Sequence, residues 1–233
     1  MQKSSILSAI PAQFICLALL TMPTQDAEAI SVISSSFDTD DDGWLATGDS
    51  TSVTPTYLSS GGNPGGTIEV DDNVVGGVWY YQAPDKFLND KSLAYNQTLS
   101  FDLWQKHYAS TTLFESSDVV LKGAGLILTI NAGATPAPWE TWVGYSVLLK
   151  EGVGWQKVST QTSLVGTDAT QAEIQAVLAS LDQLLIRGEF ITGADTGRLD
   201  NVNMTLIPIP SALYLFGTGL LGLVGMAKRK KAA

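Results

Sequence analysis

Asp38, Asp40, Asp42 and Gly43 form a D-x-D-x-D-G run in which carboxylates recur at alternating positions. Hard oxygen ligands at that spacing suit Ca2+. A twelve-residue loop started at Asp38 puts Leu45 at the apolar position and Asp49 at the last ligand position. Asp is shorter than the bidentate Glu usual there, and no amphipathic helix precedes the run, so a helix-loop-helix calcium site is not expected. A site held between strands fits better. Asp200 shares alternation with Val202, Met204 and Leu206, which predicts that its carboxylate points inward near a sheet end. There it needs a cation or several N–H donors. If the first and last strands lie together, Asp38 stands beside Asp200. The candidate ligands of a structural Ca2+ are then Asp38, Asp40, Asp42 and Asp200, with satisfaction of these carboxylates by backbone amides as the alternative.

Sugar contact is the second chemistry on offer. Trp139 and Trp142 lie in the run Pro136-Ala137-Pro138-Trp139-Glu140-Thr141-Trp142. Aromatic faces carried on such a turn can stack on pyranose rings. Trp44, Trp79 and Trp155 are expected to fill the core. Catalysis finds little support. His107 is the only histidine, and neither G-x-S-x-G nor H-E-x-x-H occurs. A glycosidase-like pair of carboxylates is the alternative function, although spacing singles out no such pair. The glycine-rich run 61–66 lacks a Lys, so it predicts a turn and not a phosphate loop.

The elements that must position these residues are short and alternating. Leu99, Phe101 and Leu103 alternate with Ser100 and Asp102, and Val143, Tyr145, Val147 and Leu149 alternate with Gly144 and Ser146. Val202, Met204 and Leu206 repeat the pattern. Further strands are expected near 31–37, 67–70, 78–82, 119–121, 125–130 and 184–190. Many short strands, each with one polar face, predict an all-β fold of two packed sheets. One short helix interrupts them. Ile174, Val177, Leu178, Leu181 and Leu185 follow helical spacing, with Thr170 and Glu173 as a capping box.

The chain has 233 residues, 45% hydrophobic and 15% charged, which suits one folded domain. Its ends are expected to be targeting material. Lys3, the apolar run 14–22 and Ala27-Glu28-Ala29 form a cleaved secretory signal over 1–29. The only cysteine, Cys16, falls inside it, so the exported domain 30–206 carries no disulfide and no Cys-bound metal. At the other end, the charge-free stretch 211–227 is followed by Lys228, Arg229, Lys230 and Lys231. As a transmembrane helix it is roughly 25 Å long. The cations orient it with its C-terminus cytoplasmic and the domain outside the inner membrane. Between these ends the net charge is near −13, which repels nucleic acid and anionic lipid.

Two resemblances follow from these residues. Ile207-Pro208-Ile209-Pro210, Leu213-Tyr214-Leu215-Phe216-Gly217 and the cations Lys228 to Lys231 together resemble the PEP-CTERM sorting signals of Gram-negative bacteria, over 207–233. Ile209 stands where the name-giving Glu would be. The resemblance implies processing by an exosortase near Pro208, Ile209 and Pro210, and delivery to the cell surface or matrix. Within the domain, the matching residues are Ser36-Phe37-Asp38 with Gly43-Trp44, the 59–66 run, Trp79 to Leu88, Ala94-Tyr95, Leu99 to Leu103, Leu184 to Phe190 and Leu199 to Val202. These resemble the laminin B domain, or laminin domain IV. That implies a jelly-roll β-sandwich of the galactose-binding-like type and no activity of its own. The expected function is a non-catalytic binding or adhesion module, with exopolysaccharide or surface proteins as partners.

Overall fold

The computed structural model describes residues 30–50, 53–72, 76–108, 112–134 and 139–207. The first strands along the chain are β1 (Ser31–Ser35), β2 (Leu45–Gly48), β3 (Thr56–Leu58), β4 (Thr67–Asp72) and β5 (Trp79–Gln82). Next come β6 (Thr98–His107), β7 (Val119–Gly123), β8 (Leu126–Ile130), β9 (Val143–Leu148), β10 (Gln156–Val158) and β11 (Thr167–Asp168). Helix α1 (Gln171–Ala179) then leads into β12 (Leu181–Arg187) and β13 (Asp195–Leu206). Two antiparallel sheets result. One has the order β3-β4-β13-β6-β9, with β1 paired to the far half of β13; the other runs β11-β10-β8-β7-β12-β5-β2.

Alternation explains why the sheets pack face to face. Leu99, Phe101 and Leu103 of β6 are buried, and so are Leu184 and Ile186 of β12 and Val119 and Leu121 of β7. They join one continuous core. Trp44, Trp79 and Trp155 are all buried in it, as expected. Each large ring has a defined seat. Trp44 lies edge-on between Phe37 and Phe87, and its Nε1 donates to Ser35 Oγ at 2.8 Å. Trp155 Nε1 donates to the Leu148 carbonyl at 2.9 Å. Trp79 needs the bare backbone of Gly188, where an added Cβ would overlap its ring.

The helix has its expected cap. Glu173 N donates to Thr170 Oγ1 at 3.3 Å while Thr170 N donates to Glu173 Oε2 at 2.9 Å. Its extent departs from the periodicity. Leu181 and Leu185 continue the helical spacing in sequence but belong to β12, where Leu181 pairs with Gly123 and Leu185 with Val120. The helix therefore ends at Ala179, and only Ile174, Val177 and Leu178 form its buried stripe.

Among the described residues, no helix is long and apolar enough to cross a membrane. The expected signal 1–29, the proline motif Pro208, Ile209 and Pro210, the span 211–227 and the cations Lys228, Arg229, Lys230 and Lys231 lie outside the described residues.

Candidate binding face

The outer side of the six-stranded sheet is set by the register between β6 and β13. Leu199 pairs with Leu103 on the core side, so the next pair, Asp200 and Asp102, faces outward with the Arg198–Trp104 pair before it. A bulge then follows: Asn203 meets Ser100, where an unbroken ladder would bring Val202, and Asn201 takes a positive φ of 50°. That extra residue breaks the alternation. Val202 and Met204 return to the core, while Asp200 stays on the outer side, contrary to the inward orientation that its spacing predicts.

Asp200 is nevertheless fully buried, because the 61–66 loop covers it. Asn63 N and Asn201 N donate to its two oxygens at 2.6 and 2.7 Å. Asn63 and Asn201 also reach Asp102 Oδ2 with their side-chain amides, at 3.0 and 2.8 Å. Gly62 permits this closeness. A Cβ there would overlap the Gly66 carbonyl oxygen and lie 2.6 Å from Asp200 Oδ2. Burial pushes the Asp200 carboxyl up to about 6; the two amide donors oppose that rise, and Asp102 and Asp38 add to it.

Of the four candidate calcium ligands, Asp38 and Asp200 border the same loop: a Cβ on Gly65 would lie 2.5 Å from Asp38 Oδ1. Asp40 and Asp42 are committed elsewhere. Asp40 Oδ1 accepts the Asp42 N–H at 2.9 Å, and Asp41 Oδ1 accepts the Gly43 N–H at 3.0 Å, so the acidic run is a pair of Asx turns. Asp42 Oδ2 accepts from Ser35 Oγ at 2.7 Å and forms an ion pair with Lys86. Among the described residues, no group of three or more His, Cys, Asp or Glu is arranged to hold a metal ion.

Beyond the loop, the face carries a row of side chains running across the strands. Glu69, Arg198 and Trp104 are neighbours on β4, β13 and β6. Arg198 Nε donates to Glu69 Oε2 at 2.6 Å, and its guanidinium stands 4.3 Å from the Trp104 ring centroid. Trp142, just before Val143 pairs with Leu103, extends the row, and its Nε1 donates to the Gly61 carbonyl at 3.2 Å. A second row holds Asp71, Thr196 and Tyr108: Thr196 Oγ1 donates to Asp71 Oδ1 at 2.6 Å and lies 2.8 Å from the Tyr108 hydroxyl. Tyr108 is 57% exposed. Trp139 lies apart from these rows, edge-on at 5.1 Å to His107, which pairs with Asp195 in the core-side phase at the end of the sheet.

The middle of the other sheet's outer face is covered, and a cavity of about 550 Å³ lined by Leu126, Ile127, Val158 and Val165 opens beside the cover. Tyr80, Val120 and Leu185 form a separate buried cluster under the cover. The segment 159–165 is tied across it: Thr129 Oγ1 donates to the Ser163 carbonyl at 2.8 Å, Lys122 Nζ to Gln161 Oε1 at 2.6 Å, and Ser117 Oγ to the Gln161 carbonyl. Among the described residues, the broad aromatic and hydrogen-bonding side of the sandwich is thus that of the six-stranded sheet.

Comparison with known proteins agrees with this architecture. Residues 80–208 match the laminin B (domain IV) family. The chain belongs to that family. It is 29% identical over 191 residues to laminin subunit gamma-1 of Danio rerio and 31% identical over 179 residues to that of Homo sapiens. These matches cover 77% and 74% of the chain and 10% of each relative, so the chain spans about a tenth of their length. The L4b domain of human laminin alpha-2 shares the fold, with a TM-score of 0.52 at 12% identity, covering 70% of this chain and 91% of that one.

In this laminin B domain the structure places Trp142 on the open face and Trp139 beside His107 at the end of the sandwich, and adds Trp104, Arg198 and Glu69, which the sequence did not single out. Their signal was present. Trp104 continues the outward phase of Ser100 and Asp102, so an aromatic residue on the polar side of a regular strand marks an exposed ring.

Proposed function

We propose that this laminin B domain is an exported, non-catalytic binding module that contacts uncharged polysaccharide through the open face of its six-stranded sheet. The observation that carries this reading is the row Glu69–Arg198–Trp104 extended by Trp142: half-buried indoles beside fixed hydrogen-bonding groups, on the sheet side that the described residues leave open. The acidic domain surface favours an uncharged polymer over an acidic one. The sorting tail that 207–233 resembles fits export, transient anchoring in the inner membrane and release by an exosortase into the surface or matrix layer. A non-catalytic role is supported by where the carboxyls that hold protons near neutrality lie. Glu189 and Asp195 are each 1% exposed inside the sandwich and Asp200 is fully buried under the 61–66 loop, so all three are out of reach of a glycoside.

Affinity electrophoresis of the chain in gels containing neutral or acidic polysaccharides tests the reading. Retardation is expected in at least one neutral polymer, insensitive to salt. Retardation only in acidic polymers, or turnover of the polymer, would overturn it.

A further inference from the structure

One end of the sandwich encloses carboxyl groups that the binding face does not use. Asp72 of β4 and Asp195 of β13 are direct cross-strand partners, on the side of the sheet that carries Ile68, Val70 and Leu199 into the core. Side chains so paired stand about 5 Å apart at Cβ, and like charges placed there repel. Glu189, just past β12 on the other sheet, lies near enough for its charge to act on Asp195; Trp79 N donates to its Oε2 at 3.3 Å, and the Trp79 ring packs on Gly197, two residues from Asp195. All three acids are 1% exposed.

Among the described residues, little balances the charges of Glu189 and Asp195. From β6, Gln105 donates its amide to Asp195 Oδ2, and His107 is the residue paired with Asp195, its ring against Trp139. From β5 come Trp79 and the Tyr81 hydroxyl, which donates to the Gly197 carbonyl at 2.7 Å. Asp49, past β2, adds a further negative group toward Glu189, and Asp71 turns away to Thr196. Arg187 is the nearby cation, but its guanidinium is spent on Asp118 at 3.4 Å and on the carbonyls of Phe114, Ser116 and Glu189. Asp195 Oδ1 is buried with no hydrogen-bond partner among the described residues. A lone buried oxygen is far better tolerated on a neutral acid than on an anion.

We propose that Glu189 and Asp195, with Asp72 beside them, form a proton-loaded latch where the two sheets meet at this end of the sandwich, closed while Glu189 and Asp195 hold their protons and loosened when they ionise. The titration behaviour agrees with the geometry. Burial, then Glu189 and Asp72, push Asp195 up to about 8, and burial, then Asp72, push Glu189 up to about 7. Acids raised in the fold contribute stability that is complete below their unfolded value near 4 and is lost as pH rises through the folded values. The latch is therefore tight in mild acid and weak in mild alkali.

Thermal melts of the full-length chain between about pH 5 and pH 9 test this, with Asp195→Asn and Glu189→Gln alongside. The wild-type melting temperature is expected to fall by about 5 °C or more across that range, and each variant to flatten the fall. If one variant fails to fold, the other bears the same expectation. Hydrogen exchange adds a local reading. Protection of the Gly188 and Tyr108 amides, which donate to the Trp79 and Ala194 carbonyls, should drop with pH beyond the intrinsic rate, while that of β1 should not. A variant profile parallel to the wild type, or protection lost evenly along the sandwich, would overturn the latch.

Discussion

At the scale of single residues, the acidic run and the glycine loop show how local chemistry decides what a motif becomes. Asp40 and Asp41 each accept an N–H two residues on, so carboxylates spaced like metal ligands fold their own turn first. Gly62 is the residue on which the covering loop depends. Gly62→Ala is expected to cost about 1–3 kcal/mol in urea denaturation, since backbone confronts the new methyl group and neither side can give. The burial of the three core tryptophans agrees with the sequence, although only Trp79 stands in an apolar run, 78–81, while Trp44 and Trp155 have glycine and polar neighbours. Asp200 was not legible in the same way. Its phase with Val202 is cancelled by one bulged residue, whose only trace in sequence is an Asn at position 201, a residue type that tolerates positive φ.

At the scale of elements, the helix cap is the clearest case of sequence and structure agreeing. Thr170→Ala should cost about 1 kcal/mol and lower the denaturation midpoint without changing its slope. The Lys157 and Thr170 hydrogen bonds hold Glu173 down at about 2. A carboxyl depressed in the fold contributes stability above its unfolded pKa and loses it as pH falls through the folded value. The helix should therefore loosen between about pH 4.5 and pH 2, and Glu173→Gln should remove that acid sensitivity from the far-ultraviolet dichroism. Where the helix ends was decided elsewhere: pairing of Leu181 with Gly123 on β7 overrides a helical spacing that runs on to Leu185. The same applies to β13. Alternation marks its last residues, but pairing with β4 on one edge and β6 on the other draws Asp195 to Leu199 into the strand, although Gly197 and the charged Asp195 and Arg198 lie among them.

At the scale of the molecule, the two outer faces of the sandwich are unequal. One has a strap over a central apolar cluster; the other shows aromatic rings and fixed polar groups to solvent. Two packed sheets were legible in the alternation, but which face stays open was not, because it depends on the long-range contacts of the 159–165 and 61–66 segments. Membership of the laminin B family gives the fold, and the tail that 207–233 resembles gives the proposed route of export. In a strain lacking the exosortase, the protein is expected to retain its C-terminal residues by mass spectrometry and to remain with the inner membrane; unchanged mass and release would remove the processing step.

The central claim is that the open face binds. Retardation in a neutral polysaccharide gel should be compared for the wild type, Trp142→Ala on that face and Val165→Ala, an 87% exposed position on the strap across the other. Loss of one indole contact should weaken binding about tenfold, with a melting temperature close to that of the wild type. The strap variant should bind as the wild type does. Equal binding by the wild type and Trp142→Ala, or loss confined to Val165→Ala, would contradict the assignment of the face.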